Sequence, residues 1–123
     1  MKIQNVKVNV YQSDIPVRGN AISSGDDEYD RNVENQIISD LEWNIWAWCD
    51  ITVSLELEVD VQGGDSVDVQ GGDSLGACSY RNEKDFMESL YPEMVQNAIS
   101  EALDGLKRSI VVVEATKPDV SYY

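Results

Sequence analysis

Histidine is absent from this 123-residue chain, and histidine is the side chain that most often acts as a general base and commonly binds metal ions. The sequence also lacks a Gly-x-Ser-x-Gly nucleophile motif and a phosphate-binding glycine loop. With 23 Asp and Glu residues, some pair of carboxylates always looks suitable for acid–base catalysis, so no single pair stands out. We therefore expect a protein that is not an enzyme and uses no cofactor.

Positive charge is scarce. Nine Lys and Arg stand against 23 Asp and Glu, for a formal net charge of −14. Phosphate binding depends on Lys and Arg, so DNA, RNA and anionic membranes are not expected as direct partners. A small domain needs a net charge of only about 2 to 8 to stay in solution. The excess of negative charge therefore needs a separate explanation.

Long apolar segments are missing as well. The longest unbroken apolar run, Ile110–Val113, is too short to span a membrane, and the alternating N-terminal residues do not form the apolar core of a signal peptide. Cys49 and Cys78 have neither zinc-ligand nor redox-motif spacing, so we expect two buried thiols. The chain is expected to be cytoplasmic and to form a single domain over residues 1–123.

The negative charge is concentrated in the middle of the chain. Residues 19–80 contain 14 Asp and Glu but only one base, Arg31, and no Lys or Arg occurs between Asn32 and Tyr80. Such a field of one sign repels itself and destabilises the folded state. Three interpretations stay open: a solubilising face, a carboxylate surface that binds a basic partner, and a cation site.

Alternating and helical patterns predict an α+β fold. Residues Lys2–Tyr11 alternate as a strand does, and apolar residues four apart predict a helix over Tyr29–Trp43. From Ile51 to Val61 every odd position is apolar and every even position is polar, which is typical of a half-buried antiparallel strand. We expect an antiparallel sheet of three to four strands with a long hairpin, packed against two main helices.

An octapeptide, VDVQGGDS, is present twice in succession over residues 59–74. Each copy places a Gly-Gly turn signal after a β-like Val-Asp-Val, so the duplicate is expected to lengthen the hairpin. The turn would use Gly63-Gly64 or Gly71-Gly72, with the spare residues in the tip. Residues 75–80 would form the return strand.

The position of this turn decides whether the two cysteines meet. A turn at the first glycine pair brings Cys78 opposite Cys49 in antiparallel pairing, and a turn at the second pair shifts that register. The sequence leaves the choice between these two registers open.

Two helices and a short strand are expected after the hairpin. Asn82 is suited to cap a helix over Glu83–Leu90, and Pro92 to begin a second helix with a regular apolar face. Ile110–Val113 predicts a last strand or the buried end of that helix. Residues 117–123 are expected to form a tail.

One face of the central strand carries the candidate binding residues. Side chains two apart on a strand point to the same side at a spacing of about 6.7 Å. The residues expected to contact a partner are Asp50, Glu56, Glu58, Asp60, Asp65, Asp68, Asp73, Trp46 and Trp48. The two tryptophans are open to two interpretations, as core residues or as an exposed interface.

The glycine-rich repeat also suggests a weak alternative, a calcium site. The segment 63–68 is similar to the calcium-binding nonapeptide G-G-x-G-x-D-x-U-x, but its period is eight and its second copy lacks the last Asp. Oxygen ligands at Asp65, Asp68 and Asp73 would hold the ion in this alternative.

Two motifs resemble those of a known group of proteins. Trp46-Ala-Trp-Cys49 and Leu75-Gly-Ala-Cys-Ser-Tyr80, followed by Asp85-Phe86, are similar to motifs in small phage and prophage proteins with a Trp-Ala-Trp-Cys strand and a Leu-Gly-x-Cys-Ser-Tyr strand. This resemblance covers residues 32–104 and implies no active site. In type rather than motif, the strong negative charge is similar to that of acidic phage anti-defence proteins, which include DNA-mimicking anti-CRISPR and anti-restriction inhibitors.

These observations lead to one functional expectation and two alternatives. We expect a phage-encoded inhibitor that binds the basic, nucleic-acid-binding surface of a host defence protein in the host cytosol. The first alternative is a small phage accessory or assembly protein that acts through its tryptophans or forms a homodimer through a sheet edge. The second is a calcium-responsive binding module.

Overall fold

A computed structural model describes residues 1–60, 64–104 and 118–123 of the chain. Its elements, in chain order, are β1 (Lys2–Gln12), α1 (Asp27–Leu41), the 3-10 turn η1 (Ile45–Ala47), β2 (Cys49–Asp60), β3 (Ser66–Cys78), α2 (Glu83–Ser89), α3 (Tyr91–Asp104) and β4 (Asp119–Tyr122). The expected α+β class is confirmed. The last strand expected over Ile110–Val113 lies outside the described residues.

The four strands form one mixed sheet in the order β3-β2-β1-β4. β1 and β3 pair antiparallel to β2, whereas β4 runs parallel to β1 along Lys7–Val10. The sheet is mostly antiparallel, as expected, and it departs from that pattern at one edge, where most of the predicted tail forms β4. Two parallel strands are joined by a long crossover connection, so the partner of a short strand such as β4 lies far away in the sequence. The local sequence of β4 therefore does not predict which strand it pairs with.

β2 forms the centre of the sheet, as its alternation predicts. Its odd-numbered residues from Cys49 to Val59 are all buried, and its even-numbered residues are half-buried or exposed. The buried row packs against α3 at one end, through Ala98, Ile99 and Ala102, and against Phe86 of α2 and Trp46 at the other. Burial of each such aliphatic side chain contributes roughly 1.5 to 3 kcal/mol, so this row is the main source of core stability.

A bulge in β1 keeps its apolar residues on the inner face. Ile3 and Val6 are both buried although three positions separate them, and strict alternation would place them on opposite faces. The register shifts between Gln4 and Lys7, and Asn5 takes a left-handed conformation with φ of +53°. Asn is one of the few residues that adopts this conformation readily, which suits it to the extra position of the bulge.

The second glycine pair lies inside β3, not in a turn. β3 begins at Ser66, well before the return strand expected at Leu75, and it pairs with β2 from Asp60↔Ser66 to Cys49↔Cys78. Of the two registers that the sequence leaves open, the structure has the one in which Cys49 and Cys78 stand opposite each other. The expectation that Gly71-Gly72 serves as a turn or loop tip is wrong, because Gly71 is buried against the backbone of α3.

Helix α1 lies beside the sheet, and its main contacts are with η1. Asp26 caps its first turn by accepting hydrogen bonds from the N–H groups of Glu28 and Tyr29 at 3.1 Å. The apolar stripe expected to be buried is only half-buried, and Ile38 beside it is exposed. The two helices that pack on the sheet are thus α2 and α3, not α1. None of the helices in the described ranges is long and apolar enough to cross a membrane.

Candidate functional site

The sheet face opposite α2 and α3 is free of packed helices within the described residues. The polar side chains of β2 point to this side, together with those that stand opposite them in the register of β1 and β3. Four of the carboxylates on this side form what we call the acidic face: Glu56, Glu58 and Asp60 of β2, and Asp68 of β3. All four are half-buried or exposed, so a partner that approaches this side of the sheet meets them directly.

Two of these carboxylates are direct neighbours across the strands. Glu58 stands opposite Asp68 in the antiparallel register, an arrangement of like charges that destabilises a sheet. The amide of Gln4 donates a hydrogen bond to Asp68 at 3.1 Å. The ion pairs within 4.0 Å in the described part of the chain lie elsewhere: Arg18–Glu34, Arg81–Asp85 and Lys84–Glu88. No Lys or Arg of the described residues lies within 4.0 Å of these four carboxylates, but Lys2 stands opposite Glu58 in the register of β1 and β2, and Lys7 lies on the same face. The face still carries more carboxylates than cations.

Glu56 is held more tightly than the other three carboxylates. Its Oε2 accepts a hydrogen bond from Asn5 at 2.8 Å, and its Oε1 accepts one from Gln70 at 3.2 Å. Beside it, the small residues Ser54 and Gly72 leave a shallow hollow of about 650 Å³, which Lys7 also lines. Glu56 thus presents a fixed negative charge at the wall of a depression on this face.

Two of the expected partner-binding carboxylates have structural roles instead. Asp50 accepts the backbone N–H of Ala77 at 2.7 Å, where β3 bulges. Asp73 lies on the opposite, helix-covered face and accepts a hydrogen bond from Asn97 of α3 at 3.0 Å. The prediction that Asp73 binds a partner is therefore wrong. Asp73 and Asp68 are an odd number of residues apart on one strand, so their side chains point to opposite faces. Asp65 is exposed in the connection just before β3.

The calcium alternative receives no geometric support. No group of three or more carboxylates or thiols in the described ranges is close enough to hold a metal ion. Asp73 faces α3 whereas Asp68 faces the open side of the sheet, so Asp65, Asp68 and Asp73 do not converge. We do not propose a calcium site.

Trp46 and Trp48 belong to the core, with exposures of 5% and 4%. Trp46 stacks on Phe86 with ring centroids 5.3 Å apart, and Trp48 donates its indole N–H to the carbonyl of Ile15 at 2.7 Å. Their assignment to an exposed interface is wrong. Trp46 lies in the 3-10 turn η1, to which strand alternation does not apply. Trp48 has extended backbone after that turn and is buried in contact with the loop that contains Ile15.

The exposed tryptophan is Trp43, with 75% of its surface open to solvent. It follows the end of α1 and lines a hollow of about 300 Å³ with Ile37, Tyr80 and Arg81 among others. The sequence does contain a signal for its exposure. Trp43 falls outside the four-residue apolar spacing of the helix, which runs through Ile37 and Leu41.

Comparison with known proteins gives no match: no protein-family model, curated protein or solved structure is similar to this chain. The likeness to small phage proteins stays a prediction that depends on the two motifs. The function is therefore argued from the geometry of the acidic face.

Proposed function

We propose that this chain is a non-enzymatic, phage-encoded inhibitor that binds the basic, nucleic-acid-binding surface of a host defence protein through its acidic face. One observation carries the proposal. Glu58, Asp60 and Asp68 lie together on a sheet face that no described helix covers, although a like-charged pair there costs stability. A basic partner that contacts this face would relieve the repulsion between Glu58 and Asp68.

The spacing of the carboxylates supports this kind of partner. Successive outward residues of β2 are about 6.7 Å apart, and the neighbouring strand adds a second row about 4.8 Å away. Each strand of duplex DNA carries one phosphate per roughly 3.4 Å of helix axis. The acidic face is thus a less dense but regular array of fixed negative charges, and Lys and Arg side chains arranged to meet phosphates can contact it.

The opposite charges of the two surfaces determine how the complex should form and dissociate. Attraction between a negative and a positive surface raises the association rate, and salt weakens it as the Debye length falls to about 3 Å at 1 M. We expect binding to be fast at low salt and to weaken steeply as salt rises. Duplex DNA should compete for the same surface of the partner.

A pair of charge-matched variants tests the proposal. In the face variant, Glu58→Gln, Asp60→Asn and Asp68→Asn remove three charges from the acidic face. In the control variant, Glu88→Gln, Glu93→Gln and Asp104→Asn remove three exposed charges from α2 and α3. Glu56 is left in place because it holds Asn5 and Gln70.

Each protein is immobilised and used to capture proteins from a bacterial lysate at low salt, with elution by duplex DNA. We expect wild type and control to retain a DNA-eluted protein that the face variant binds at least tenfold more weakly. Equal capture by both variants, or a captured protein that DNA does not displace, contradicts the proposal.

The accessory-protein alternative is favoured by a different observation, the exposed indole of Trp43. Aromatic residues of this kind are frequent anchors of protein interfaces. Association that resists salt and is lost in Trp43→Ala, while the face variant still associates, would favour this alternative over the inhibitor.

A further inference from the structure

We propose that Cys49 and Cys78 form a reversible intramolecular disulfide, and that Cys78 is the thiol that first attacks a small-molecule disulfide oxidant. Both residues are free cysteines in the reduced chain. Their sequence spacing gives no redox motif, so the site arises only from strand register.

A bulge in β3 places the two cysteines opposite each other. Gly76 and Ala77 together face the single residue Asp50, which shifts the register so that Cys78 rather than Ala77 pairs with Cys49. Ala77 has a left-handed φ of +49°, which is uncommon for a residue with a Cβ. The Asp50 carboxylate stabilises this conformation by accepting the Ala77 N–H at 2.7 Å.

The resulting geometry is close to that of a disulfide. The two Sγ atoms are 3.8 Å apart, and directly opposed residues in antiparallel strands have Cα atoms about 4.5 to 5.5 Å apart. That Cα distance lies within the range found for disulfides, so bond formation requires side-chain rotation and little backbone movement. The sulfur atoms must approach by about 1.8 Å.

The two thiols differ in access and in acidity. Cys49 is fully buried, whereas Cys78 is only half-buried. The hydrogen bond between the two thiols lowers the pKa of Cys78 and raises the pKa of Cys49, with burial adding to the rise of the latter. The thiolate is the reactive form, so Cys78 is both the less buried and the more reactive of the two thiols. Cys49 is positioned to attack a mixed disulfide formed at Cys78.

The reaction balances with a low-molecular-weight disulfide such as oxidised glutathione as the oxidant. The Cys78 thiolate attacks one glutathione sulfur and forms a mixed disulfide, and the first glutathione leaves as a thiolate that takes up a proton. Cys49 then loses its proton and attacks Sγ of Cys78, which expels the second glutathione. Two electrons pass from the cysteine pair to the oxidant, which leaves as two molecules of reduced glutathione.

The native chain is incubated with oxidised glutathione, quenched with acid, alkylated under denaturing conditions and weighed by mass spectrometry. We expect a monomer that has lost two hydrogen atoms and takes up no alkylating agent. The disulfide links residues that are 29 positions apart and so restricts the unfolded chain. It should therefore raise the melting temperature by roughly 10 °C.

Three variants test the order of events and the role of the bulge. Cys49→Ser should accumulate the mixed disulfide at Cys78, and Cys78→Ser should stay unmodified while folded. Asp50→Ala should lower the equilibrium constant for disulfide formation at least tenfold, because the bulge loses its acceptor. Persistence of both thiols in wild type, or disulfide-linked dimers only, overturns the site. Equal glutathionylation of the two serine variants overturns the order.

Discussion

Gly71 shows how one missing side chain sets the distance between the sheet and α3. A Cβ at this position would collide with the carbonyl oxygen of Ala98 and lie 2.7 Å from the backbone nitrogen of Ala102. Both are backbone atoms of a helix, and they cannot move aside without shifting the helix itself. The close approach lets Ala98 and Ala102 reach the core formed by Ile3, Leu55 and Leu57.

We therefore expect Gly71→Ala to lower the free energy of unfolding by about 2 to 4 kcal/mol, as overpacking of a buried site does. Gly76→Ala is the control, because its Cβ would lie 3.7 Å from Asp50, an ordinary contact. Urea unfolding monitored by tryptophan fluorescence measures both changes. Similar midpoints for the two variants would show that α3 does not constrain this position.

The residues of the acidic face illustrate what the alternation of side chains along a strand can predict. Glu56, Glu58 and Asp60 follow from the alternation of β2, which is a local pattern. Asp73 was misassigned because its place in the alternation becomes defined only when residues 66–78 are known to form one strand. Trp46 lies in a 3-10 turn, which carries no alternation, and Trp48 is buried through a contact with the distant residue Ile15 that no local pattern predicts.

At the scale of secondary-structure elements, α1 depends on one buried contact. The Glu34 carboxylate accepts the N–H of Gly19 at 2.6 Å and pairs with Arg18 at 3.7 Å. Glu34 is only 8% exposed, whereas the apolar residues of α1 are at most half-buried. The helix is therefore joined to the preceding loop by polar contacts more than by apolar packing.

We expect Glu34→Ala to destabilise α1 by about 1 to 3 kcal/mol, because the hydrogen bond from the N–H of Gly19 to the charged Glu34 carboxylate is lost. Backbone amides of α1 should then exchange with deuterium faster, and those of α3 should not change. Glu28→Ala, an exposed change on the same helix, is the control. If exchange from α1 is the same in both variants, the contact does not hold the helix.

Elements with strong local patterns were predicted well, and elements that depend on distant contacts were not. β2 was predicted from alternation alone, and the capping role of Asn82 for α2 from its side chain, which accepts the N–H of Asp85 at 2.9 Å. The second glycine pair carried a genuine turn signal, but contact with α3 determines its place in β3. β4 pairs with the first strand of the chain, which no local pattern records.

At the scale of the whole molecule, charge repulsion is the main opposing electrostatic effect. The net charge is −14, and the ion pairs in the described ranges are mostly exposed and thus weak. Screening therefore relieves repulsion more than it weakens attraction.

We expect the melting temperature to rise by at least about 3 °C when sodium chloride is increased from 0.02 to roughly 0.5 M, since the Debye length becomes shorter than the spacing of the carboxylates. The face variant, which lacks the Glu58–Asp68 repulsion, should melt higher at low salt and respond less to added salt. Differential scanning calorimetry measures both effects. A melting temperature that does not change with salt would show that the acidic face carries little repulsive energy.

The repeated octapeptide has a further consequence for how this chain can change over generations. Loss of residues 60–67 would leave the pairing from Cys49↔Cys78 to Leu57↔Val69 intact, together with the seat of Gly71 against α3. Because eight is an even number, gain or loss of a whole copy keeps each remaining side chain on its own face. Tandem copies are prone to such gains and losses when DNA is replicated. The length of the two strands and the number of carboxylates on them can therefore change in steps of one repeat between generations, while the core stays the same.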